Sequence, residues 1–113
     1  MNMLPFQRLD IYQAARELAR RVHTSEIRDP ELRDQATRAA KSTFLHICEG
    51  LPNDSAAMRR RYFVGANNSL HEVVGAVDLA GAIEAIGAED AIAIQELGIR
   101  VKRMLRGLLR PRS

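Results

Sequence analysis

The 113-residue sequence predicts an all-α domain, an antiparallel up-down-up-down four-helix bundle occupying residues 1–113. Three observations predict it. Four segments repeat aliphatic residues at steps of three and four, the period of one helix face. The links between them are only a few residues long, which favours antiparallel neighbours. No stretch carries the alternation and β-branched enrichment of a strand.

Residues 1–8 read as a short irregular segment, after which Asp10 offers an N-cap ahead of Ile11, Ala15, Leu18 and Val22. Asp29-Pro30-Glu31 supplies a cap, a first-turn proline and a dipole-favoured acid for a second helix. Its inner line is Leu32, Ala36, Ala39, Thr43 and Ile47, and Gly50 and Pro52 close it. Asn53-Asp54-Ser55 opens the third and longest helix, whose line runs Phe63, Ala66, Leu70, Val73, Val77 and Ala80. Gly87 marks its expected end. A fourth helix starts at Glu89-Asp90, carries Ile94, Leu97, Val101, Met104 and Leu108, and stops before Pro111, leaving a basic tail at 109–113. Gly65, Gly75 and Gly81 each cost about 1 kcal/mol against alanine inside the third helix, so close approach by a neighbour is expected there.

The composition bounds the function. One chain of this size holds one core and no second module. Cys48 is the only cysteine, which excludes a disulfide framework and fits a reducing cytoplasm. No signal-like start or bilayer-length apolar run is present, so a cytoplasmic protein without a membrane partner is expected.

Placed at 100° steps, several aliphatic residues leave the inner lines: Leu45, Leu79, Ile83, Ile92 and Ile99. Repeated on three helices, they predict a subunit interface. Gln35, Arg38, Ser42, His46 and Glu49 form a polar strip along the flank of the second helix. The strip pairs no nucleophile with a base and an orienting acid, so helix-to-helix hydrogen bonding is its expected role. His23-Thr24-Ser25-Glu26 and His46-Ile47-Cys48-Glu49 reverse the Glu-x-x-His order of di-iron bundles, and the fourth helix has no histidine. No metal, cofactor or catalytic site is expected, and Cys48 reads as a packing residue.

Arginine supplies most of the positive charge, and the formal net charge is +3. Two clusters stand out. Arg59-Arg60-Arg61 lies in the first turns of the third helix, against that helix's own dipole. From Arg100 to the end, Arg100, Lys102, Arg103, Arg106, Arg110 and Arg112 meet no acid. Arginines in such groups are candidate phosphate contacts.

The order Gln35-x-x-Arg38-Ala39-Ala40-x-Ser42, Ile47-x-Glu49-Gly50, Phe63-Val64-x-Ala66-x-x-Ser69-Leu70-x-Glu72 and Leu79-Ala80 resembles a known family. It is that of the bacterial four-helix-bundle proteins encoded in intervening sequences of large-subunit ribosomal RNA genes, which includes the accessory variability determinant of diversity-generating retroelements. Phe6-x-x-Leu9-x-Ile11-Tyr12-x-x-Ala15 and Arg103-Met104-Leu105-x-x-Leu108 extend the likeness over nearly the whole chain, with departures at His46, Cys48 and Asn68. The resemblance implies a four-helix protomer, a homopentameric ring and no enzymatic activity. In some members it also implies nucleic-acid binding through a basic surface. The resulting expectation is a homo-oligomeric accessory or scaffold protein that binds RNA or DNA, with a reverse transcriptase or another protein as a further partner. An adaptor without nucleic-acid binding is the alternative.

Overall fold

A helix starts most readily where a side chain takes up the free amides of its first turn, and two of the four helices here begin that way. The computed structural model describes residues 3–111, with helices α1 (Asp10–Thr24), α2 (Pro30–Gly50), α3 (Ala56–Ala82) and α4 (Ala88–Leu109). Arg112, the last cation of the basic tail, lies outside the described residues. Asp29 accepts from the Leu32 amide at 2.9 Å ahead of Pro30. Ser55 accepts from the Met58 amide at 3.3 Å, and Asn53 steadies the entry by accepting from the Ser55 amide at 2.9 Å.

Two boundaries differ from expectation. Asp10 is the first residue of α1 and not its cap; Leu9 holds the cap position, which carries no side-chain hydrogen bond. The segment before it is ordered, because Pro5–Arg8 forms a 3-10 turn closed by the Leu4 amide donating to Gln7 Oε1 at 2.8 Å. The larger difference is the end of α3, which stops at Ala82 and leaves Gly87 to serve as the N-cap position of α4. Glu84 there takes the left-handed conformation, φ 58°. Its amide donates to the Gly81 carbonyl at 3.1 Å, and the Ala85 amide to the Ala80 carbonyl at 2.8 Å. These two bonds are the Schellman closure, which ends a helix wherever one residue turns left-handed.

Sequence neighbours are spatial neighbours, and α1 closes the circle against α4. Ser42 meets Ser69 and Gly50 meets Phe63, so numbering falls along α2 as it rises along α3. Lys102 bonds Asn67 and Arg60 bonds the Leu109 carbonyl, giving the same antiparallel sense for α3 and α4. The inner lines of α1 and α3 are buried throughout, as is that of α2 from Ala36 onward. Leu32 is half-buried.

In α4 the core line is Ile94, Gly98, Val101 and Leu105; Leu97 and Met104 are half-buried flanks and Leu108 is exposed. A glycine lies in this line. A Cβ on Gly98 would stand 3.0 Å from Val74 Cγ2, so the missing side chain lets α3 and α4 approach closely on that side. Of the three glycines expected to mark close approach, only Gly65 does so, against the His46 ring. Gly75 and Gly81 have nothing within 4 Å of an added Cβ.

Candidate nucleic-acid interface

Antiparallel packing brings the start of α3 and the ends of α2 and α4 together, so the arginines of α3 face the negative dipole ends of two neighbours. Arg59 is half-buried, donates through Nη1 to the carbonyls of Leu51 and Gly50, and rests its guanidinium 5.2 Å from the Phe63 ring centroid. Arg60 donates to the Leu109 carbonyl at 3.1 Å. Both thus satisfy carbonyls that the helix ends leave open. That supplies the physical reason for cations against the dipole of α3. Arg61 is exposed and has no hydrogen-bond or ion-pair partner among the described residues.

On α4, Arg100, Arg103, Arg106 and Arg110 are exposed and likewise without partners among the described residues. Lys102 is the exception, donating from Nζ to Asn67 Oδ1 at 2.8 Å and to His71 Nε2 at 3.0 Å. That second bond requires the neutral tautomer of His71 with its proton on Nδ1. Lys102, Arg103 and Arg106 line a groove between α3 and α4 together with the apolar side chains of Leu70, Val74 and Ile99. Arg60 and Arg110 share a second cleft at the end of the bundle, where Asp54 is the one acid among its lining residues.

The polar strip divides. Ser42 Oγ meets Ser69 Oγ of α3 at 2.8 Å, and His46 Nδ1 donates to the Ser42 carbonyl at 2.7 Å. The His46 ring lies over Gly65 and 6.3 Å from the Tyr62 ring. Gln35 and Arg38 line a shallow recess with Glu72, and Glu49 is exposed. Beside it the Cys48 thiol is pushed above its usual range, first by burial and then by the charge of Glu49. Ser69, Tyr62, Asn67 and His71 were not legible as partners from the sequence, because pairing across helices depends on their register. Among the described residues no three His, Cys, Asp or Glu side chains converge on a metal-sized site, and no helix is long and apolar enough to cross a membrane.

The aliphatic residues expected at an interface are all exposed by half or more, from Leu79 at 50% to Ile92 at 59%. Leu79 and Ile83 stand at the end of α3, Ile92 and Ile99 on the outer side of α4, and Leu45 apart on α2.

Comparison with known proteins follows the fold. No curated protein matches the chain. A solved structure from Bacteroides thetaiotaomicron VPI-5482, described as a protein with unknown function from the S23 ribosomal protein family, superposes with a TM-score of 0.79 at 17% identity. The match covers 89% of this chain and 99% of that one, and at this identity it speaks for the fold alone. The profile of the 23S rRNA-intervening sequence protein family matches residues 7–107, which reach into all four helices, and the chain belongs to that family.

Proposed function

We propose that this chain is a non-enzymatic, homo-oligomeric scaffold that binds the phosphate backbone of nucleic acid through one end of the bundle and the adjoining side of α4. The supporting observation is the set of exposed arginines without partners among the described residues: Arg61, Arg100, Arg103, Arg106 and Arg110. A cation with no internal partner is free to replace the counterions of a polyphosphate. Arg59 and Arg60 support this surface by closing the ends of α2 and α4. No β-ribbon or groove-reading helix motif accompanies the arginines, so contacts position the backbone and sequence preference is slight.

Self-association rests on the exposed aliphatics of α3 and α4. The family resemblance sets the number at five, in a ring that repeats the basic surface around its axis. Even weak contacts from each protomer then add.

The test is fluorescence anisotropy with labelled DNA and RNA between 50 and 200 mM salt, for the parent and an Arg61→Ala/Arg100→Ala variant. Engagement of roughly 6–10 phosphates lowers parent affinity about 10³–10⁵-fold over that range. Losing two contacts from each engaged protomer reduces the slope of log affinity against log salt by about 2 for every protomer engaged. Absence of binding at low salt would leave the adaptor reading, with the arginines as solvated charge.

A further inference from the structure

The cleft at the end of the bundle is lined by more than phosphate contact requires. It lies between the start of α3 and the end of α4 and has a volume of about 480 Å³, within the range of about 300–1,000 Å³ that holds small organic groups. Arg59, Arg60 and Arg110 supply its cations, and a backbone contact asks for nothing else. Yet Phe63, Leu108 and Pro111 give it apolar walls, and Asp54 gives it an acid.

The acid is the informative residue. Asp54 is exposed and has no hydrogen-bond or ion-pair partner among the described residues, although Arg60 and Arg110 line the same cleft. A free carboxylate repels phosphate and can only accept hydrogen bonds, so beside a polyphosphate alone it is a cost. Beside a nucleobase it has a use, because every base carries an N–H donor on its pairing edge. The arginines differ in the same sense. Arg59 is half-buried, donates to the Leu51 and Gly50 carbonyls and rests 5.2 Å from the Phe63 ring centroid, so it is held back from following a backbone. What it offers is a fixed plane, and arginine planes are surfaces on which unstacked bases lie. Arg60 spends only part of its five-donor guanidinium on the Leu109 carbonyl, and Arg110 is exposed without a partner among the described residues. Both remain open to phosphate.

We propose that this cleft receives one unpaired base of a single-stranded nucleic acid, laid against Arg59, Leu108 and Pro111, with Asp54 accepting from its edge and Arg60 and Arg110 on the flanking phosphates. This deepens the nucleic-acid reading given above and rests on it: backbone contact supplies the affinity, and the cleft adds a preference for unpaired strands over duplex. A base within a duplex is closed to the cleft, because its edge is bonded and its faces are stacked, and freeing it costs energy. The choice among the four bases stays slight, since each has a flat face.

The experiment measures anisotropy on the full chain at low salt with three labelled probes of equal length: a mixed-sequence single strand, a strand of abasic residues throughout, and a blunt duplex. Duplex carries the denser phosphate charge, so backbone contact alone ranks it first and treats the two single strands alike. With a base seated in the cleft, the normal strand binds tighter than duplex and about tenfold tighter than the abasic strand. Leu108→Ala and Asp54→Ala, both at exposed positions, each lower the ratio of normal to abasic affinity by about threefold. Affinity for the abasic strand is unchanged by the first and raised by the second, which removes a charge that repels phosphate. Circular dichroism checks the folding of each variant. A normal strand that binds no better than the abasic one, or a ratio that neither variant moves, overturns the base site and leaves the backbone reading standing. Failure of all three probes to bind overturns both.

Discussion

At the scale of single residues, glycine divides into two kinds that share a helix and differ in cause. Gly65 is required by its neighbour: a Cβ there would stand 2.6 Å from His46 Cδ2 and 2.9 Å from Nε2, and the ring is held by its bond to the Ser42 carbonyl. Gly81 is unconstrained, with nothing within 4 Å and no left-handed backbone. Gly65→Ala should therefore destabilise by about 1–3 kcal/mol through overpacking, while Gly81→Ala should stabilise by about 0.4–1 kcal/mol by reducing the freedom of the unfolded chain. Urea unfolding of both variants measures the contrast; equal effects would mean that His46 moves aside freely. The sequence placed all three helical glycines of α3 in one class, because the reason for a glycine lies on the facing helix. Arg59 teaches the same point. Its position against its own helix dipole was legible, but the carbonyls of α2 that it satisfies were not.

At the scale of elements, starts were more legible than stops. Asp29-Pro30 and Ser55 cap their helices through side chains whose chemistry is written in the residue type. The stop of α3 depends on Glu84 turning left-handed, a conformation that costs a non-glycine residue about 1–2 kcal/mol and carries no residue signature. It is held in place from outside. The Arg28 amide donates to the Ala85 carbonyl at 2.7 Å, and Arg28 Nη2 donates to the Glu84 carbonyl at 2.6 Å, tying the α1–α2 link to this turn. Glu84→Gly should raise stability by about 1 kcal/mol, since these contacts use the backbone of residue 84 and survive the change. A thermal midpoint that fails to rise would show that the Glu84 side chain compensates for its backbone. The buried line of α4 is the second lesson at this scale: Gly98 sits in it, and a pattern search for apolar residues passes over it in favour of Leu97 and Leu108.

For the whole molecule, the inner lines converge on one core in which Leu18, Phe63, Leu70, Ile94 and Leu105 are essentially inaccessible. Leu70→Ala should cost about 2–5 kcal/mol, because helices packed on both sides of α3 cannot collapse fully into the space. Denaturant unfolding followed by far-ultraviolet circular dichroism reads this loss. A variant as stable as the parent would place the α3 line outside the core. By itself the sequence determined the number of helices, their antiparallel order and most of the buried lines, because those follow from a period and from cap chemistry carried within each segment. It also marked which aliphatics and arginines the core would not use. Tertiary structure decided the rest: which arginines are spent on neighbouring helix ends, which glycine is pinched, where α3 stops, and that Asp54, Phe63 and Leu108 line one cleft. Those properties belong to pairs of elements, and a pair has no register until the helices are packed.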